Sequence, residues 1–253
     1  MPELKLEVQR TALLVMDFQK PIVECYVAGR EALLAATASA IAAARAAGVR
    51  VIYVVVGFRE GFPEISPRNQ GFAAVKAMTA FSTEIDPQVA PAPGEVVITK
   101  HRVSAFYGTD LDMILRAQDM ETLALCGIAT SGVVLSTLRH AADADYRLLV
   151  LRDCWSDQTR GARRWHRGPS RRGRLRNSGS GGPPPANDEA RTRPGWGSRG
   201  PQPGQASSGS SGEATRGPAP IKDGEVHACL CDKIFPRQAQ VITAAAFAQS
   251  LRA

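Results

Sequence analysis

The chain has 253 residues, is 44% hydrophobic and carries a formal net charge of +7. That length allows one α/β domain or a small pair with a sizeable core. No stretch approaches the roughly 20 apolar residues that cross a bilayer. Residues Met1 to Arg10 are mixed and charged, without the apolar centre of a secretory signal, so a cytoplasmic protein with no membrane partner is expected. The charge is local. Residues 158–221 hold 12 Arg, no Lys and 3 acids, a balance of 12 − 3 = +9, and the remainder carries 7 − 9 = −2. The basic balance therefore gives no reason to assign nucleic-acid binding to the folded part. Five cysteines (Cys25, Cys126, Cys154, Cys229, Cys231) are too few and too scattered for a disulfide scaffold, and reduced thiols are expected.

In chain order, Thr11 to Met16 (TALLVM) is a short apolar run that ends at Asp17, as in a strand buried on both faces. Arg30 to Ala47 is Ala-rich with helical apolar spacing, and Gly48 supplies its stop. Val51 to Val56 (VIYVVV) is β-branched and reads as a second buried strand. Residues 57–71 are rich in Gly, Pro and charge and read as a loop. Val96 to Thr99 is a third strand ending at Lys100, and Asp110 to Gln118 a helix. Thr122 to Cys126 is a fourth strand, Thr130 to Ala144 a helix, and Arg147 to Leu151 a fifth strand ending near Asp153. Asp223 to Phe235 reads as a helix, Gln240 to Thr243 as a short last strand and Ala244 to Leu251 as a closing helix.

Alternating strand and helix signals predict a three-layer, Rossmann-like α/β fold: a parallel sheet with right-handed crossovers and helices on both faces. Ligands in such sheets bind beyond the carboxyl ends of the strands. Asp17, Lys100 and the turn at 127–133 all fall at such ends. The first strand is followed by Asp17-Phe18-Gln19-Lys20 and not by a glycine fingerprint, so no nucleotide cofactor is expected.

The segment 158–221 differs in kind. It holds 13 of the 23 Gly and 9 of the 17 Pro, with few large apolar residues. It cannot bury enough surface to offset chain entropy, so a disordered Arg/Gly/Pro/Ser-rich insert is expected between domain parts 1–157 and 222–253. Arg160 to Arg176 carries 8 Arg and no acid and is the one stretch suited to phosphate contacts. A passive insert, or translated non-coding sequence, fits the abrupt loss of Lys, Val and Ile better.

The runs ALLVMDFQ (Ala12 to Gln19), TKHRVSAFYGTDLDMIL (Thr99 to Leu115), GIATSGVVLSTLRHAADADYRLLVLRDC (Gly127 to Cys154) and DGEVHACLCDKIFPRQAQVIT (Asp223 to Thr243) together resemble the isochorismatase-like hydrolase superfamily, also called the cysteine hydrolases. The resemblance implies a six-stranded parallel sheet flanked by helices, a small-molecule substrate and a homo-oligomer. Its amidase members use an Asp, a Lys and a Cys. Asp17 and Lys100 match the first two, and Val133 stands where the resemblance places the thiol. The family's non-proline cis peptide would fall at Ile128-Ala129. Members with a metal hold it with an Asp and two His in the loop after the second strand. This chain has no His there, so no metal is expected.

From these residues, Asp17 is expected to act as acid or base. Lys100 would be its electrostatic partner, holding it ionised at rest if the two lie within hydrogen-bond reach. Thr130 suits an N-cap, and the backbone N–H groups of Ala129, Thr130 and Val133 are candidate oxyanion donors. Arg59 and Arg68 are weak candidates for gripping a substrate carboxylate, and Phe18 and Phe106 for walling the site, with solvated-loop and core roles as the alternatives. Two functions compete. One is hydrolysis of a small, carboxylate-bearing molecule without a thiol, by water attack or acid-catalysed cleavage. The other is a catalytically decayed small-ligand or protein-binding module.

Overall fold

Six apolar runs assemble into one parallel sheet of strand order β3-β2-β1-β4-β5-β6. The computed structural model describes residues 5–27, 29–73, 82–156 and 223–252. The strands are β1 (Thr11–Met16), β2 (Arg50–Val56), β3 (Val96–Lys100), β4 (Thr122–Ile128), β5 (Arg147–Ser156) and β6 (Gln240–Ile242). The helices are α1 (Lys20–Tyr26), α2 (Arg30–Ala47), α3 (Gln70–Ala73), α4 (Leu111–Ala117), α5 (Leu135–Asp143), α6 (Asp223–Cys229) and α7 (Ala244–Ser250). The expected insert at 158–221 and the domain limits at 157 and 222 lie outside the described residues.

Burial follows the position of each strand. β1 and β4 lie in the middle and are buried at every residue, which is why TALLVM and TLALC read as largely apolar runs, and β4 continues two residues further, to Ile128. β3 is the sheet edge and alternates, with Val97 and Thr99 exposed. Residues of opposite parity feed two cores. Leu13, Val15, Tyr53 and Cys126 pack against α1, α2 and α7, with Leu34, Ile41 and Phe247 as the helical partners. Leu14, Met16, Val54 and Leu125 pack on the other face against α4 and α5, through Leu111, Leu115 and Leu138. Gly48 caps α2 in the left-handed region at φ 80°, as its position predicts.

Three elements depart from expectation. α1 has no apolar period of its own over seven residues, and its one start signal is Pro21 in the first turn. The helix expected from Thr130 to Ala144 begins with a π turn over Thr130–Val134 and is α only from Leu135. The helix expected from Asp223 to Phe235 likewise breaks at Cys229 into a π turn, Leu230–Ile234. π turns cluster at functional sites, and apolar spacing does not distinguish them from α-helix.

The strand order reverses direction between β1 and β4. Doubly wound sheets open their ligand crevice at such a switch point. Met16 pairs with Gly127 across it, so Asp17 and the turn after β4 leave the sheet side by side.

Candidate active site

Asp17 leaves β1 in the left-handed region at φ 61°. Asp tolerates that conformation better than most side chains. Its N–H still donates to Val54 O at 2.8 Å, so the backbone stays registered on β2. Lys100 closes β3, opposite Val56. Its Nζ reaches past the end of β2 to Asp17 Oδ2 at 2.9 Å, and the two side chains are 3% and 8% exposed. Nζ also donates to Arg102 O at 3.1 Å. The sequence expectation that these distant residues meet is therefore met in the geometry.

Lys100 is within reach of Asp17, yet burial outweighs it: desolvation pushes the carboxyl above its ordinary range, and the nearby ammonium only partly offsets this. Oδ1 of Asp17 is buried without a hydrogen-bond partner. A buried carboxylate oxygen in that state invites a donor.

The turn after β4 carries a cis peptide at Ile128-Ala129, where the resemblance placed it. Ala129, not Thr130, is the capping residue, because the Thr130 hydroxyl faces His227 Nδ1 at 3.2 Å instead of the helix N–H groups. The N–H groups of Gly132 and Val134 both return to Ala129 O, at 3.2 and 3.4 Å. Val133 is 2% exposed and packs in the second core. Gly127 makes this approach possible. A methyl group there would sit 3.0 Å from Met16 O and 3.2 Å from Val133 Cγ1.

Sequence reading missed the clamp formed by Gln19. Its amide is fully buried and accepts from Val56 N at 2.8 Å while donating to Val56 O at 2.9 Å and Ser82 O at 2.8 Å. It ties the segment after Asp17 to the end of β2. A polar amide directly after an acid at a buried strand end was the available signal. His101 was likewise passed over; its Nδ1 lies 2.6 Å from Gly57 O.

The weaker candidates fall elsewhere. Phe18 is 1% exposed in the first core, and Phe106 is buried and stacked on His140 with centroids 4.5 Å apart. Arg59 pairs with Glu64 at 2.6 Å. Desolvation opposes ionisation of Glu64, but its backbone hydrogen bonds and Arg59 outweigh it and hold the carboxyl below its ordinary range. Arg68 is exposed. Burial pushes the Cys126 and Cys154 thiols up, so neither offers a ready thiolate. Among the described residues, no group of three or more His, Cys, Asp or Glu could hold a metal ion, and no helix is long and apolar enough to cross a membrane.

Several known proteins are similar to this chain. Ureidoacrylate amidohydrolase RutB of Azorhizobium caulinodans is 33% identical over 176 residues, 59% of this chain and 78% of that protein. N-carbamoylsarcosine amidase of Arthrobacter sp is 33% identical over 130 residues, covering 49% of each chain. Among solved structures, N-carbamoylsarcosine amidase of Thermoplasma acidophilum superposes with TM-score 0.50 at 31% identity, over 62% of this chain and 88% of that one. A cysteine hydrolase from Pseudomonas syringae pv. phaseolicola superposes with TM-score 0.70 at 20% identity, over 100% and 98%, a likeness of fold. The family model described as the isochorismatase domain matches residues 11–166, more than half of the sequence. With that match, the six-stranded fold and the residues at its switch point, the chain belongs to the isochorismatase family.

Proposed function

We propose that this protein hydrolyses a small carboxylate-bearing molecule with Asp17 as its proton-transfer group and no thiol nucleophile. The observation that carries this reading is the buried Asp17–Lys100 pair at 2.9 Å, with Asp17 Oδ1 left unpartnered beside the switch point. Two relatives, by their names, act on ureidoacrylate and on N-carbamoylsarcosine. Both molecules join a carboxylate to an N-carbamoyl group, and that is the substrate class proposed here.

In the water route, Asp17 accepts a proton from water as its oxygen attacks the carbamoyl carbon. The carbonyl oxygen gains charge and is held by backbone N–H groups at Ala129, Thr130 and Val133. The C–N bond then breaks, and the departing nitrogen takes the proton back from Asp17. Lys100 stabilises the carboxylate while it is charged and fixes its direction. Burial that raises the Asp17 pKa makes it a stronger base once ionised and a better supplied acid when neutral. The neutral form also suits acid-catalysed cleavage of a vinyl ether, in which Asp17 delivers a proton to carbon.

Turnover separates these routes. Purified protein is offered N-carbamoyl amino acids, simple amides and isochorismate, and released ammonia and pyruvate are measured. Ammonia supports the water route and pyruvate the acid route. No product from any of them, together with thermal stabilisation by one compound, supports the second reading, a ligand-binding module that has lost catalysis. The near-complete burial of Val133 is the observation that favours it.

A further inference from the structure

A second polar cluster stands against the turn, on the side of the chain that follows residue 222. His227 lies on α6, and its Nδ1 is 3.2 Å from Thr130 Oγ1, 97 residues away in sequence. Its Nε2 is 3.4 Å from Cys231 Sγ, one helical step further on. The indole of Trp155 packs edge-on against the imidazole, with centroids 5.3 Å apart and planes at 62°. Trp155 is itself paired in register with Gly127, at the end of β4 where the turn begins. Thr130 is fully buried and Cys231 2% exposed.

Resting on the proposed hydrolase reading, we propose that His227 is a positioning residue that, backed by Cys231, sets the hydroxyl of Thr130 as a donor into the turn Ala129–Val133. Both ring nitrogens of His227 face a side-chain partner, and a neutral imidazole has one donor and one acceptor nitrogen. Two arrangements conserve protons. In one, the thiol donates to Nε2, and Nδ1–H donates to Thr130 Oγ1. Thr130 then keeps its own proton to donate onward. In the other, the Thr130 hydroxyl donates to Nδ1, and Nε2–H meets sulfur. The first is assigned because a thiol in an apolar surround is a weak acceptor for a ring N–H but has a proton to give. Cys231 lies in such a surround, within the second core. Outer partners that fix a tautomer in this way orient the residues that touch the reacting atoms.

The test uses the full chain. Imidazole 15N shifts of the resting protein, with His227 assigned by its loss in His227→Asn, report which nitrogen carries the proton. The expected result is a protonated Nδ1 on His227, and a shift toward a tautomer mixture in Thr130→Val. A protonated Nε2, or no change in Thr130→Val, overturns the proposal whether or not any substrate is turned over. Turnover gives the second arm. The side-chain amide of Asn reaches the place of Nδ1, and that of Gln the place of Nε2. His227→Asn is therefore expected to keep kcat within about threefold, while His227→Gln and Thr130→Val lose about ten- to a hundredfold with KM nearly unchanged. Equal losses in His227→Asn and His227→Gln would mark a packing role only and overturn it. Absence of turnover in the wild type would sink the hydrolase reading and leave the 15N result to decide this one.

Discussion

Breaking the Asp17–Lys100 pair one side at a time, and then replacing both, gives the sharpest energetic test. At 2.9 Å and an effective dielectric of about 20, the two charges attract by about 6 kcal/mol. Each ion has lost several kcal/mol of hydration in exchange, so the net value of the pair is far smaller than its attraction. Removing the ammonium in Lys100→Met leaves the Asp17 carboxylate buried alone, at an expected cost of about 3–5 kcal/mol while it is ionised. For a chain of this size that lowers Tm by roughly 6–20 °C. The double variant Asp17→Asn/Lys100→Met carries no buried charge and is expected to be neutral or up to about 4 kcal/mol more stable than wild type. Urea and thermal unfolding of the four proteins form a double-mutant cycle. A Lys100→Met loss below about 1 kcal/mol that simply adds to the effect of Asp17→Asn would refute the reasoning, since that is the behaviour of an exposed ion pair.

The pH dependence follows from the sign of the Asp17 shift. Its folded-state pKa lies above the unfolded value, so its contribution to stability is complete below the unfolded pKa and is lost as pH rises through the folded one. Wild type minus Asp17→Asn stability, which cancels the other carboxylates, is expected to fall with rising pH from about 4 upward; a flat or rising difference contradicts the assigned direction. Gly127→Ala places a methyl 3.0 Å from Met16 O and 3.2 Å from Val133 Cγ1. It is expected to cost about 1–3 kcal/mol by overpacking, read by chemical denaturation, and to lower turnover by displacing the chain at Asp17. Val133→Cys removes about one methyl from the second core and is expected to cost roughly 0.5–1.5 kcal/mol. If the turn is otherwise competent, the new thiol gives a burst of product from amide substrates, detected by rapid quench and abolished by iodoacetamide.

The sheet was legible because its strands announce themselves. TALLVM and VIYVVV are almost wholly apolar and, in VIYVVV, β-branched, which fits strands covered on both sides. Asp17 and Lys100 were legible for the converse reason, as charges at the ends of buried runs. What stayed hidden depends on atoms and not on residue type. The hydroxyl of Thr130 suits a cap by composition, but His227, which claims it, lies 97 residues away. The balance between desolvation and Lys100 at Asp17 is set by how completely the pair is covered, and no spacing encodes that. Arg59 looked available in a loop rich in Gly and Pro, yet Glu64, five residues on, engages it. π turns at Thr130 and Leu230 share the apolar spacing of the helices they interrupt.

The central claim is that proton transfer belongs to Asp17 and not to a thiol. Its most direct test is single-turnover hydrolysis of an N-carbamoyl amino acid by wild type and by Asp17→Asn, with ligand binding followed in parallel by thermal shift. The expected result is a rate lost by at least about a hundredfold in Asp17→Asn, with binding retained. Undiminished hydrolysis by Asp17→Asn would contradict it.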